Sequence, residues 1–347
     1  MGASRVIIVG GGEFSKSVLM ELNSLGNKGF YLLGIVHDQA SENRECSKCE
    51  FLGSLDELPG IIDKYKPERL ILALTEQRGT MPVNCLMNAL LSKGIVITPG
   101  PEFLEELTGK LSIESITPSK LIFSDEFRPS ALSQFVARIV SLVVAFVALA
   151  FLAPILALVA IAIKIESSGP PFFVQKRVGR NGRAFSLYKF RSMSGTSDNR
   201  SEWVCDNGDR ITPLGRWLRK HRIDELPQLL NVIRGDMNIV GPRPHPESNL
   251  TMFSLVARNM NNYGDQVPYY SIRLRVRPGI TGWAQVKYKY ANGLDEEMEK
   301  LRYDLYYVKH YSFGMDLKII SKTISLVIFG EDGTTGDQKT IPRESNR

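Results

Sequence analysis

The rhythm of apolar and polar positions changes twice along these 347 residues. In the first stretch, short apolar runs alternate with helical spacing. Arg5-Val6-Ile7-Ile8-Val9 reads as a buried strand, and Glu13 to Leu25 repeats its apolar positions at helical intervals. Tyr31 to Val36, Arg69 to Leu74 and Ile95 to Thr98 read as further strands with helical stretches between them. Strand and helix in alternation predict an α/β domain, a parallel sheet covered on both faces.

The second stretch is apolar throughout. From Ile139 to Ile163, 25 residues pass without a charge, between Arg138 and Lys164. That is long enough to cross a bilayer with some tilt. Positive residues flank both ends, with Lys120, Arg128 and Arg138 before and Lys164, Lys176, Arg177, Arg180 and Arg183 after. By the positive-inside tendency both flanks belong on the cytoplasmic face. Pro154, in mid-segment, removes one backbone hydrogen bond and bends the helix. Together these predict a re-entrant helix that leaves by the leaflet it entered.

The third stretch mixes both rhythms. Phe172-Phe173-Val174 and Phe185 to Tyr188 predict strands around the basic turn 177–183. Leu226, Leu229, Leu230 and Ile233 predict one buried stripe on a helix from Asp224 to Gly235. Arg273, Arg275 and Arg277 alternate, as on one face of a strand. Asp295 to Tyr311 is helical and carries Tyr303, Tyr306, Tyr307, Lys309 and Tyr311, suited to a membrane interface or to a core. Met315 to Phe329, apolar with Lys318 and Lys322 spaced along it, suits a helix lying on a membrane or an ordinary core helix. The boundaries that result are a first domain at 1–111, a connector at 112–137, the membrane helix at 138–164, a mixed α/β domain at 165–330 and a polar, disordered tail at 331–347.

Charge narrows the partners. The net charge is +6 and the pI is near 9.0, which favours an anionic partner. Lys164 to Arg191 holds seven Lys/Arg against one acid, Glu166. Aromatic-interleaved or recognition-helix patterns are lacking, so phosphates and membrane surfaces are favoured over nucleic acid. Cys46, Cys49, Cys85 and Cys205 are few and scattered, as in a reducing compartment. Cys46 and Cys49 have CxxC spacing without a second pair to complete a zinc set.

Two places carry candidate chemistry. Asp224 and Glu225 are adjacent acids at a helix start, with Pro227 in the first turn. There a carboxylate can attack phosphorus, share a metal ion with a phosphate, or simply cap the helix. Gly10, Gly12 and Ser15 approach the dinucleotide fingerprint, and Asp38 stands where an acid meets a ribose. A nucleotide site and a purely structural turn both fit that pattern.

Blocks in order along 130–330 resemble the bacterial polyprenyl-phosphate sugar-phosphate transferases, the monotopic phosphoglycosyl transferases. They are Pro154 in its apolar segment, Ser168-Gly169-Pro170-Pro171-Phe172-Phe173, Gln175 to Gly182, Tyr188 to Met193, Asp224-Glu225-Leu226-Pro227-Gln228, Gly235-Asp236-Met237, Val240-Gly241-Pro242-Arg243-Pro244 and Arg277 to Gln285. The front domain resembles the Rossmann-like, CoA-binding-like domain of the large members. Those members usually open with four membrane helices, and none precedes residue 4 in this sequence; Ala153 stands where a serine commonly precedes the kink proline.

The resemblance implies transfer of sugar 1-phosphate from a UDP-sugar to undecaprenyl phosphate, releasing UMP, at the cytoplasmic face of a bacterial inner membrane, as the first membrane step of exopolysaccharide, capsule or O-antigen synthesis. It implies Asp224 as nucleophile, Glu225 assisting, Mg²⁺ held at Asp224 and Glu225, and a homodimer as one assembly. Lys189, Arg191 and Arg243 are candidates to meet substrate phosphates, with Arg177, Arg180 and Arg277 behind them. Asp236 and Asp304 also match family acids, as metal support or as helix caps. The competing readings are a membrane-anchored nucleotide-binding regulatory protein and a Rossmann-type sugar oxidoreductase or dehydratase. The imperfect glycine turn, without a Tyr-x-x-x-Lys beside it, counts against the oxidoreductase.

Overall fold

The computed structural model describes residues 3–11, 13–24, 29–37, 50–73, 82–113, 116, 121, 123–194, 210–247, 269–288 and 294–329. Gly12, Asp38, Cys46, Cys49, Cys205 and the tail from 331 lie outside the described residues. Two compact units divide between residues 115 and 116.

The first unit runs β1 (Ser4–Val9), α1 (Glu13–Ser24), β2 (Phe30–Val36), β3 (Phe51–Gly53), α2 (Leu58–Tyr65), β4 (Arg69–Leu72), α3 (Val83–Lys93), β5 (Val96–Pro99) and α4 (Gly100–Thr108). Its five strands are parallel, in the order β3-β2-β1-β4-β5. Side chains of β1 alternate between two apolar layers, as a strand requires. Val6 and Ile8 pack with Val18, Leu19 and Leu22 of α1 and Phe103 of α4. Ile7 and Val9 pack on the other face with Leu58, Ile61 and Ile62 of α2 and Leu86 of α3. Each of these side chains, fully buried, contributes about 1.5–3 kcal/mol. After β1 the chain turns through Gly10 at φ 121, a conformation glycine alone adopts freely. The Ser15 hydroxyl donates to the Gly10 carbonyl at 2.7 Å, so the third small residue of the fingerprint closes the turn.

The second unit begins with the apolar segment. All of it lies in one helix, α5 (Ala131–Glu166), which Ser130 caps by accepting from the Ser133 N–H. Among the described residues it is the one helix long and apolar enough to cross a membrane. Ala137, Ser141, Ala145 and Ile163 form its buried stripe. Elsewhere it exposes Phe135, Val143, Phe146, Phe151, Leu158 and Ile161, apolar surface that water does not stabilise.

Next come β6 (Phe172–Val178) and β7 (Ala184–Phe190), an antiparallel hairpin in which Phe172 faces Phe190 and Val178 faces Ala184. The basic turn between them is a 3-10 turn at Arg180–Gly182. Then follow α6 (Pro213–Lys220), a 3-10 turn at Ile223–Gln228, α7 (Leu229–Arg234), β8 (Asn238–Val240), α8 (Tyr269–Arg273), β9 (Gly279–Thr281), α9 (Trp283–Lys287), α10 (Leu294–Lys309) and α11 (Phe313–Phe329). β8 and β9 pair in parallel. A Cβ on Gly279 would collide with the Gly241 backbone, and one on Gly241 with the Arg277 carbonyl, so these glycines let the two segments touch. Two clusters tie α5 down. Ala145 packs with Leu187, Leu229, Val232 and Met237, and Ile163 packs with Phe190 and Leu218.

Two expectations need correction. The helix expected from Asp224 starts as a 3-10 turn and becomes α-helical only at Leu229. Pro227 cannot donate an N–H there, and three residues per turn rotate the following positions off a 3.6-residue frame. The buried residues of α7 are therefore Leu229, Asn231 and Val232, while Leu230 is 42% exposed. The alternating arginines are not a strand. Arg273 ends α8, and ion pairing of its buried side chain with Asp304 at 2.7 Å overrides the period-two pattern. Of the tyrosines on α10, Tyr307 is core, its hydroxyl donating to Asp316 at 2.7 Å.

Candidate active site

Asp224 and Glu225 open the 3-10 turn, both only 8% exposed. Arg222, just before them, is left-handed at φ 54, which a side-chain-bearing residue adopts at a cost. The turn is fixed from behind by Asn231, fully buried in α7. Its side-chain carbonyl accepts from Tyr188 N–H at 3.1 Å, and its amide donates to Ser186 O at 2.7 Å. One side chain thus locks α7 to β7 and places Lys189 across from Glu225.

Three cations converge on Glu225. Arg243 donates to its Oε1 at 2.8 Å, Lys189 Nζ lies 3.5 Å from the same oxygen, and Arg222 lies 4.0 Å from Oε2. Burial alone would raise the Glu225 pKa; Arg243, Lys189 and Arg222 overcome it and hold the carboxyl at about 2. Asp224 moves the other way. Burial first, then the negative charge of Glu225, raise its pKa above the ordinary aspartate range. Lys189 is brought down to about 8 by burial and by the nearby Arg243. The adjacent acids are therefore unlike. Glu225 is a permanently charged anchor for cations, and Asp224 is the carboxylate whose charge is least compensated.

Arg243 stands on a held loop. Arg273, buried, donates to the Arg243 carbonyl, and Arg177 donates to the Pro244 carbonyl at 3.0 Å. His245 continues the support, its Nδ1 3.1 Å from Arg273 and its Nε2 3.5 Å from Glu297. Burial and the Arg273 charge bring His245 down to about 3, so it stands as a neutral imidazole.

The six predicted phosphate contacts divide, with Arg180 in the 3-10 turn between β6 and β7. Lys189 and Arg243 meet at Glu225. Arg191 instead donates to the carbonyls of Ser167 and Ser168, just past α5, at 2.7 and 2.9 Å. Arg177 holds the Pro244 carbonyl. Arg277 donates to the Gly235 carbonyl at 3.1 Å, and its proton affinity is lowered by burial and then by Arg180. Asp304 pairs with Arg273, and Asp236 accepts from Asn231 at 3.3 Å. The sequence reading passed over Arg222, Asn231, His245 and Glu297. Only Arg222, beside the acid pair, offered a signal. In the first unit, Gly10 stands in the turn after β1, while Gly12 and Asp38 lie outside the described residues.

Among the described residues, no three His, Cys, Asp or Glu side chains gather as a metal cage. Mg²⁺ needs no such cage, since it commonly takes one or two carboxylates and fills its shell with substrate phosphates and water. Asp224 suits that role. Glu225, with cations facing both oxygens, suits it less.

The family described as bacterial sugar transferases matches residues 132–330. A UDP-N-acetylgalactosamine-undecaprenyl-phosphate N-acetylgalactosaminephosphotransferase of Aeromonas hydrophila is 38% identical over 227 residues, 65% of this chain and 51% of that protein. An undecaprenyl-phosphate glucose phosphotransferase of Komagataeibacter xylinus is 32% identical over 337 residues, 95% of this chain and 60% of that protein. A UDP-glucose:undecaprenyl-phosphate glucose-1-phosphate transferase of Escherichia coli (strain K12) is 30% identical over 328 residues, 92% of this chain and 67% of that protein. The chain thus spans about half to two thirds of the length of these curated relatives.

Proposed function

The chain belongs to the bacterial sugar transferase family, and from that premise we propose that it moves a sugar 1-phosphate from a UDP-sugar to undecaprenyl phosphate. The observation that carries this reading is the unlike acid pair, Asp224 undercompensated and Glu225 fixed among Arg243, Lys189 and Arg222. An Asp224 oxygen attacks the β-phosphorus of the donor; the bond to the α-phosphate oxygen breaks and UMP leaves. The sugar phosphate is then an acyl phosphate on Asp224. An oxygen of undecaprenyl phosphate attacks the same phosphorus, makes the lipid diphosphate sugar, and returns Asp224 as carboxylate. Lys189 and Arg243 stabilise charge on the phosphoryl oxygens as it builds. Mg²⁺, held by Asp224 with a lesser share for Glu225, would supply further charge neutralisation between the two anionic reactants.

The proposed membrane arrangement rests on α5. One unit grips the helix near both ends. Arg138 donates to the Val232, Ile233 and Met237 carbonyls at 2.7, 3.3 and 3.1 Å, while Glu166 accepts from the Leu214 N–H at 2.8 Å. A soluble unit holding both ends of an apolar helix supports a re-entrant course from the cytoplasmic face of the inner membrane, with Pro154 at the bend. The strand order β3-β2-β1-β4-β5 supports a Rossmann-like reading of the first unit. The relatives give no support to a regulatory protein without catalysis. The deciding experiment is UMP release with undecaprenyl phosphate in nanodiscs across a panel of UDP-sugars. Release with at least one sugar, dependent on the lipid, is expected; none with any of them would end the proposal.

A further inference from the structure

Beside the acid pair lies a feature that the chemistry above leaves unused. A narrow cleft between β9, α9 and α11 is lined by Arg222, Thr281, Gln285, Val286, Thr323, Leu326 and Val327. It holds about 10 Å³ of free volume within about 190 Å³ of empty space that runs out to solvent, so its tight part admits one water-sized group.

Its lining is polar on one side and apolar on the other. The two threonines are already satisfied: their hydroxyls lie 2.7 Å apart, and Thr323 donates to the Ile319 carbonyl at 2.8 Å. Gln285 is not. Its side-chain oxygen and nitrogen are both buried, and neither has a hydrogen-bond partner. A buried amide left unpaired costs about 1–3 kcal/mol, so this one calls for an explanation. Arg222, the ion-pair partner of Glu225, lines the cleft as well. It is 4.0 Å from Glu225, beyond hydrogen-bond length, and its left-handed backbone is the kind of strain found at functional sites. The apolar side is Val286, Leu326 and Val327. Val327 is exposed on α11, as are Leu317 and Ile324 of the same helix.

We propose that this cleft seats the acceptor lipid, with a phosphate oxygen at the Gln285 amide and the Arg222 guanidinium and the first prenyl units on Val286, Leu326 and Val327. The inference rests on the functional reading above and assigns the acceptor a place within it. A polyprenyl phosphate has the polarity of the cleft: one anionic end, then an apolar chain. Arg222 links the cleft to Glu225, so the seated phosphate lies beside the carboxylates where its oxygen must attack.

The test measures KM separately for lipid and donor, in nanodiscs, for Gln285→Glu and Leu326→Trp. The first sets a carboxylate against the incoming phosphate, and the second fills the apolar side. Each should raise the lipid KM by at least about tenfold while the donor KM stays within about twofold. A lipid KM unchanged in both folded variants overturns the assignment and leaves Gln285 to an ordered water. Should neither variant fold, the wild type decides through a benzophenone-bearing polyprenyl phosphate. Crosslinks should map to 281–287 or 322–327, be displaced by undecaprenyl phosphate, and resist undecaprenol and phosphatidylglycerol. Crosslinks elsewhere, or equal displacement by phosphatidylglycerol, overturn it. A wild type that turns over no UDP-sugar refutes the transferase reading instead, and the crosslink still reports whether the cleft takes the lipid phosphate.

Discussion

The two units handle charge in opposite ways. In the first, the sheet is sealed by apolar layers, Glu105 is the one buried charged residue among the described positions, and ion pairs such as Arg69–Glu106 and Arg5–Glu68 sit at the margin. In the second, charges are taken inside: Arg177, Asp224, Glu225, Arg273, Asp304 and Asp316 are all buried. Surface pairs of the first kind are worth about 0–1 kcal/mol each. Interior ones are costly to form and more costly to break. The second unit also divides within itself. The Arg273–Asp304 pair is closed on both sides and serves as scaffold, while the Glu225 cluster includes Arg243 and Arg222, both partly exposed. Burying charge is expensive, so its concentration in one unit marks that unit as the candidate seat of the proposed chemistry.

The harshest break of this contrast is Asp304→Asn. It strips the carboxylate from Arg273 and should cost the second unit about 3–5 kcal/mol, read as a lowered denaturant midpoint. Glu106→Gln, at the Arg69 surface pair of the first unit, should cost under about 1 kcal/mol in the same assay. Equal losses would erase the distinction.

Asp224→Asn comes next. The amide keeps the shape but loses the charge and the attacking oxygen. Turnover should fall at least about a hundredfold, on the order of 3 kcal/mol in barrier, in a folded protein. A labelled UDP-sugar incubated without lipid should leave sugar phosphate mapped to Asp224 in the wild type. Near-normal turnover of the variant would return Asp224 to a structural role.

A smaller effect sharpens the reading of Lys189. Its ammonium deprotonates near pH 8 in the folded protein, against 10.5 ordinarily. Between those values the folded chain holds fewer protons than the unfolded one, so this group's effect is to raise stability as pH rises through the window. Phosphate stabilisation does the reverse and fades above about 8. The kcat/KM for donor should therefore decline on the alkaline side of that value, and Lys189→Arg, which does not titrate there, should flatten the decline. The same fall in both proteins would take Lys189 out of phosphate binding.

The mildest change should be removal of residues 1–110. The acid pair and its cations lie outside that segment, so a folded, membrane-bound truncation should keep measurable transfer; complete loss would tie the first unit to catalysis.

Much of the scaffold was legible without coordinates. Short apolar runs and 3.6-residue periods located β1, α1, β2 and the helices α10 and α11 to within a residue or two, because burial writes itself into the local run of apolar positions. The uncharged run announced α5, and the adjacent acids marked the candidate site. Tertiary structure alone decided how the neighbours of those acids were spent. Lys189 and Arg243 face Glu225, whereas Arg177, Arg191 and Arg277 go to backbone carbonyls. Sequence supplies a basic side chain, but whether it meets a carboxylate, a phosphate or a carbonyl depends on contacts between distant segments. Asn231 shows this well: a lone amide among leucines, with no signal of its own, it locks α7 to β7. The unlike proton affinities of Asp224 and Glu225 arise the same way. Two neighbouring acids differ because partners from other strands and loops close around one of them, and sequence spacing does not carry that distance.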